Sequence, residues 1–381
     1  MNLKVLVVDD TIVYRRIVSD ALAGVPDVEV VSTAGNGRIA LSRIATLKPD
    51  LLVLDIEMPE MNGLEVLGAI REQSLDVGAI VLSALTVKGG ELTMKALELG
   101  AFDFVTKPEG ASAEESRDQV KKTLVPLVKA YGHAREIKSI LKGVKSVRPA
   151  PHTLEKMRVN AGDDGQALPL SPAAATGGHV SEAVGIGVST GGPNALMKML
   201  PNLAPGLNAP IFIVQHMPPT FTRYLADSLD ARCALKVKEG EDGETVQPGT
   251  AYLAPGGKQM KVTLGADAMT KIIRVTDDPP ENHCKPSVDY LFRSLAHHYV
   301  GRATGVIMTG MGNDGTLGLK LMKRSGAVVI AQDELSCVVF GMPGEAIRAG
   351  VVDVVAPLDE LAGVIARTVK QKVVNYGESP S

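Results

Sequence analysis

The sequence predicts two doubly wound α/β domains, each built on a parallel sheet, joined by a flexible linker. Three observations carry this. At 381 residues the chain exceeds one ordinary domain. Short β-branched apolar runs alternate with helix-period segments in two separate series, the pattern of parallel sheets flanked by helices. Between the series, residues from about 143 to 180 are rich in Pro, Gly, Ala and Ser and show little periodicity, which reads as a tether.

In the first series, KVLVV (4–8), VEVVST (28–33), LLVLD (51–55), AIVLSA (79–84) and FDFVT (102–106) read as strands. Several are apolar on both faces, as buried parallel strands are. RRIVSDALAG and GRIALSRIATLK supply helical periods between them. Residues 112–142 read as helical, interrupted by Pro126. The second series runs through AVGIGV, APIFIVQH, TAYLAP, TGVIMTG and AVVIAQ.

Composition narrows the function classes. Hydrophobic residues at 45% fit globular cores, and a formal charge of −3 gives no electrostatic case for nucleic acid or an anionic membrane. No apolar run approaches the ~18 residues of a membrane helix, so no direct membrane insertion is expected. The N-terminal LKVLVV runs straight into Asp9-Asp10 without a cleavage region. Cys233, Cys284 and Cys337 lack metal-ligand spacing and read as incidental reduced thiols. These features lead to the expectation of a cytoplasmic protein.

In an open parallel sheet, ligands bind at the carboxyl ends of the strands. Asp9 and Asp10 close the first strand and Asp55 the third; Ser83 sits in the fourth, and Lys107 follows the fifth. Three converging carboxylates repel unless a divalent cation neutralises them, and all-oxygen ligation suits Mg²⁺. The adjacent lysine and hydroxyl complete a site for a phosphoryl group carried by Asp55. VVDDTIVYRR, LDIEMPEMNGLEVL, VLSA and FDFVTKP resemble the flavodoxin-like receiver domain of bacterial response regulators. The resemblance implies phosphorylation of Asp55 by a histidine kinase, with Mg²⁺ on Asp9, Asp10, Asp55 and the Glu57 backbone carbonyl. It also implies that Ser83 responds to the phosphoryl group and that Phe104 stands at the switch aromatic position, where tyrosine is common.

The second series opens on GIGVSTGGPNAL (185–196), where an apolar strand turns into a helix. Glycine there serves a dinucleotide loop, a phosphate loop or an elbow presenting a nucleophilic serine. A dinucleotide site needs an acidic residue at the end of the next strand, which offers Gln215 and His216 instead. A phosphate loop needs G-K-[ST], and no lysine occurs between Gly192 and Lys198. The third reading fits: Gly187-Val188-Ser189-Thr190-Gly191 is G-x-S-x-G, and Pro193 suits a first helical turn. His216 is the only one of seven histidines at the end of a neighbouring strand, and Asp314 lies in a Gly-rich loop beyond another. Ser189, His216 and Asp314 therefore form the predicted nucleophile, base and orienting acid.

The order Ser, His, Asp differs from that of α/β-hydrolases. With GIGVSTGGPNAL, VQHMPPTFT, YLAPGG, HCKPSVDYLF and MTGMGNDG, the half resembles the Rossmann-like effector domain of the CheB family of chemotaxis methylesterases. That resemblance implies hydrolysis of γ-glutamyl methyl esters on methyl-accepting chemoreceptors, deamidation of receptor glutamines, a CheA-type kinase as phosphodonor, and no cofactor for the esterase. Backbone N–H groups near Thr190 and Gly191 would hold the oxyanion, joined by Met311 through the family likeness. It further implies that the unphosphorylated receiver covers the esterase cleft. HCKPSVDYLF reads as a helix start capped by Ser287, or as a cleft wall through His283 and Asp289, without a triad role. The expected limits are 1–126 for the receiver, 127–180 for a helical extension and linker, and 181–375 for the esterase. Two rivals stand beside this reading. A DNA-binding output would need a smaller basic domain than this one, and a vestigial adaptor is opposed by the intact Ser189, His216 and Asp314.

Overall fold

The computed structural model describes residues 2–108, 112–143 and 180–369, with side chains left undescribed at 113 and 137–143. The linker reading of residues 143–180 falls largely outside the described residues.

The first domain alternates strand and helix throughout: β1 (Leu3–Val8), α1 (Ile12–Leu22), β2 (Val28–Ala34), α2 (Gly37–Leu47), β3 (Leu51–Asp55), α3 (Gly63–Glu72), β4 (Gly78–Ser83), α4 (Val87–Glu98), β5 (Asp103–Thr106) and α5 (Ala113–Gly143). The strands form one parallel sheet in the order β2-β1-β3-β4-β5. LLVLD is buried along its whole length because helices cover both faces of the sheet. One expectation fails: Pro126 lies inside α5, which runs through it unbroken. Proline removes one N–H and crowds the preceding turn. The buried Leu124, Leu127 and Val128 on either side pack into the receiver core and hold the helix together across that defect.

The second domain contains β6 (Ala183–Val188), α6 (Gly192–Met199), β7 (Ile211–Gln215), α7 (Phe221–Asp230), β8 (Lys236–Glu239), β9 (Thr250–Leu253), β10 (Gln259–Leu264), β11 (Lys271–Thr276), α8 (Val288–His298), β12 (Ala303–Ile307), α9 (Thr316–Arg324), β13 (Val328–Gln332), α10 (Met342–Arg348), β14 (Val354–Ala356) and α11 (Leu358–Thr368). Its seven-stranded parallel sheet has the order β14-β13-β12-β6-β7-β9-β8, and β10 and β11 form a separate antiparallel hairpin. The first strand, β6, thus lies centrally between β12 and β7. Strand order reverses there, and the crevice at such a switch point is where open α/β sheets bind ligands.

The two domains touch along one edge. The N-terminal side of β5 and the helix α4 of the receiver pack on α6 and α7. Phe104 stacks on Phe221 with centroids 4.9 Å apart and planes at 10°. Glu98 pairs with Arg232 at 2.8 Å and accepts the Ser228 hydroxyl at 2.6 Å. Asn194 Nδ2 donates to the carbonyls of Ala101 and Phe102 at 3.0 and 3.3 Å. One apolar cluster runs through this contact, from Leu54 and Leu97 to Val184 and Phe221.

Candidate active site and phosphoacceptor pocket

The strand register builds the esterase-side site. Val188 pairs with Gln215 across β6 and β7, so the next residues, Ser189 and His216, leave the sheet side by side. His216 N–H donates to the Val188 carbonyl at 3.3 Å, and Ser189 N–H donates to the Thr309 carbonyl at 3.0 Å. Gln215 Nε2 ties the two turns together by donating to the Ser189 and His216 carbonyls at 3.0 and 3.1 Å. Gly191 has φ +73°, and a Cβ there would stand 2.6 Å from Val338 Cβ. Only glycine meets both demands without strain. A Cβ on Gly310 would stand 2.7 Å from Ser189 Cβ, so the loop bearing Met311 passes directly over the serine.

Asp314 reaches His216 from the β12 side: His216 Nε2 lies 2.8 Å from Asp314 Oδ2. The carboxylate is 3 % exposed, yet all its lone pairs have partners. Oδ2 also accepts Val288 N–H at 2.7 Å; Oδ1 accepts Ser287 Oγ at 2.8 Å, Asn282 Nδ2 at 3.1 Å and Asp289 N–H at 3.1 Å. Two of these donors are first-turn amides of α8, where the helix dipole favours a negative charge. Burial alone raises the Asp314 pKa; the His216 bond and the α8 amides outweigh it and hold the carboxyl below its ordinary value. For His216, burial opposes the charged ring, but Asp314 and Cys284 overcome it and push the pKa from 6.5 up to about 9. Among the described residues no hydrogen bond joins Ser189 Oγ to the ring, whose Nδ1 faces Cys284 Sγ at 3.7 Å.

HCKPSVDYLF therefore does more than expected. Ser287 caps α8, as read from the sequence, and also donates its hydroxyl to Asp314. Asp289 is buried against Asp314 instead of walling a cleft, and burial raises its pKa, with the Asp314 charge adding to the effect. Asn282, not singled out in the sequence, spans both acids by donating to Asp289 Oδ2 at 2.8 Å and to Asp314 Oδ1. It holds φ +49°, a backbone region that asparagine tolerates better than most residues, and that is the one local signal it leaves in a sequence.

Of the expected oxyanion donors, Gly191 N–H is engaged across the domain boundary by Asp103 Oδ2 at 3.0 Å. Asp103 is buried, which raises its pKa to about 6 against the opposing Gly191 and Phe104 amide bonds. A receiver carboxylate is thus seated on the turn that carries Ser189.

In the receiver pocket, carboxylate oxygens of Asp9, Asp10 and Asp55 lie within 4.8 Å of one another. Lys107 Nζ bridges Asp9 Oδ2 and Asp55 Oδ2 at 2.8 Å each. Burial raises the Asp55 pKa to about 6 despite Lys107. An all-oxygen set with two buried carboxylates fits a hard divalent cation. The Glu57 side chain pairs with Lys88 Nζ, and its backbone N–H bonds Asp55. Ser83 is turned toward α4, where its Oγ donates to the Gly89 carbonyl at 3.2 Å and accepts Thr93 Oγ1 at 2.7 Å.

The sequence matches the response regulator receiver domain family over residues 5–117 and the CheB methylesterase family over residues 184–365. A protein from Desulfotalea psychrophila named protein-glutamate methylesterase/protein-glutamine glutaminase is 49% identical over 374 residues, covering 97% of this chain and 99% of the relative. The chain belongs to the CheB methylesterase family. Relatives of the same name from Geobacillus kaustophilus and Bacillus subtilis are 44% and 41% identical, covering 97% and 98% of this chain and 99% and 100% of their own. Among the described residues of this CheB chain, no helix is long and apolar enough to cross a membrane.

Proposed function

We propose that this chain is a receiver-controlled serine hydrolase that demethylates γ-glutamyl methyl esters on methyl-accepting chemoreceptors and deamidates specific receptor glutamines in the cytoplasm. The observation that carries the reading is the His216–Asp314 bond beside the Ser189 turn, at the carboxyl ends of three adjacent strands. Asp314 accepts the Nε2 proton, which leaves Nδ1, beside Cys284 Sγ, as the nitrogen that takes the Ser189 proton once the serine hydroxyl turns to it. Ser189 Oγ attacks the ester carbonyl, and the oxyanion draws on backbone N–H groups at Thr190, Gly191 and Met311. His216 returns the proton to the departing methanol, or to ammonia from a glutamine. It then activates water to hydrolyse the acyl-enzyme.

The pH dependence follows from His216. The base works only when neutral, and its pKa stands above the ordinary 6.5, at about 9. kcat/KM measured under phosphodonor activation is therefore expected to climb through neutral pH, reach half its maximum near pH 9 and level off only above it. A plateau already reached at pH 7 would contradict this.

In the receiver, Asp9, Asp10 and Asp55, with the Glu57 carbonyl, would hold Mg²⁺, which when bound neutralises charge on the phosphoryl oxygens. Asp55 is the proposed acceptor from a CheA-type kinase, Lys107 pairs with the phosphoryl group, and Ser83 turns toward it. Ser83 contacts α4, and Phe104 stacks on Phe221 in α7, so changes at both would reach the docked edge. Asp55→Ala is expected to retain basal methanol release and lose stimulation by a small-molecule phosphodonor. Stimulation equal to wild type would remove Asp55 from the switch.

Asp103 supplies a further lever. Its carboxylate holds an elbow amide only while the domains are docked. Losing one such bond is worth up to roughly tenfold in the docking equilibrium. Asp103→Ala should raise basal esterase activity several-fold and shrink the phosphodonor response by the same factor. Unchanged basal and stimulated rates would show that this bond does not restrain the enzyme.

A further inference from the structure

We propose that His216 Nδ1 and Cys284 Sγ form a reversible binding site for a thiophilic divalent cation, Zn²⁺ above all, and that its occupancy switches the esterase off. The binding rests on geometry alone; the inhibition rests on the proposed role of His216.

Three observations carry the site. First, Sγ and Nδ1 stand 3.7 Å apart. A tetrahedral zinc with Zn–S near 2.3 Å and Zn–N near 2.05 Å places its two donors about 3.5 Å apart, so the side chains already have the required bite. Second, the other ring nitrogen is held by Asp314, itself fixed by four further donors. A carboxylate on the far nitrogen orients a metal-binding imidazole and raises its basicity. Third, Cys284 is partly exposed and free of any disulfide, so its sulfur is open to an ion and to water ligands. This soft sulfur and nitrogen pair contrasts with the receiver's three carboxylates, which suit a hard cation.

Binding replaces the thiol proton and, below about pH 9, the Nδ1 proton of the charged ring: Zn²⁺ bonds the Cys284 thiolate and the Nδ1 lone pair, water fills the remaining positions, and each displaced proton passes to solvent. No electron moves. The Nδ1 lone pair is the one that takes the Ser189 proton, so the occupied site has no free base.

The test uses the full-length chain, reduced and stripped with EDTA, titrated with Co²⁺ and then Zn²⁺. The expected result is a near-ultraviolet thiolate-to-cobalt absorption band that Zn²⁺ removes. The band should be absent from Cys284→Ser and Cys284→Ala and retained in Asp10→Asn, where only the receiver cluster is altered. In parallel, methanol release is scaled to each variant's own rate in EDTA. Saturating Zn²⁺ should lower the wild-type rate at least tenfold, EDTA should restore it, and Cys284→Ser should need at least tenfold more Zn²⁺. A wild-type chain without the band, a band that survives both Cys284 variants, or equal zinc sensitivity in Cys284→Ser would each overturn the site. A cobalt band in a chain that releases no methanol would leave the metal site standing and count against the proposed function instead.

Discussion

Asp314→Asn is expected to lower kcat by ~10⁴ while leaving the fold and receptor binding largely intact. The reason lies in the tautomer. Asp314 Oδ2 accepts the proton on His216 Nε2, which fixes the lone pair on Nδ1. An asparagine amide can donate to Nε2 and stabilise the opposite tautomer, with the proton on Nδ1 and no base facing Ser189. The substitution also withdraws the charge that steadies the imidazolium. Asn282, Ser287 and Asp289, which donate to Oδ1, can still donate to the asparagine carbonyl and keep the side chain seated, while the Val288 N–H, which donates to Oδ2, loses its acceptor. The measurement is kcat with KM, under phosphodonor activation. The loss should fall on kcat, and a loss confined to KM would move Asp314 from catalysis to substrate binding.

The parts of this protein legible in its sequence are those written in local periodicity. LLVLD and AVGIGV announce fully buried parallel strands, and the residues just beyond such strands fall at the carboxyl edge of the sheet by construction. That is why Asp55, Ser189 and His216 stand out together with their partners at the strand ends, and why the structure brings His216 and Asp314 to 2.8 Å across 98 residues of sequence. Elements with weaker patterns escaped. β8 is a four-residue charged edge strand, β14 spans three residues, and the β10–β11 hairpin lies outside the parallel sheet. At Pro126 the local preference is to break the helix, and packing on both sides overrides it. The support of Asp314 by Asn282 and Ser287 was illegible because it comes from a loop 27 to 32 residues away with no period. Cys284 looked incidental because spacing along the chain reveals a metal pair only when both ligands share a motif. The seat of Asp103 on Gly191 and the stacking of Phe104 on Phe221 belong to the domain contact, which neither domain's own pattern encodes.

The central claim is that Ser189 is the nucleophile. Ser189 leaves β6 at a turn tied by Gln215 and Thr309, beside His216 and beneath the Met311 loop. Alanine removes the attacking oxygen and nothing that holds the turn, since those bonds come from the backbone of residue 189. A triad serine is worth ~10⁶ in kcat, and the residual rate comes from oxyanion and substrate binding alone. The decisive measurement is methanol release from methyl-esterified chemoreceptor membranes, with phosphodonor present, by the wild-type chain and by Ser189→Ala. Steady release by the wild type and background release by a folded Ser189→Ala chain are expected. Equal release by the two would contradict Ser189 as the nucleophile.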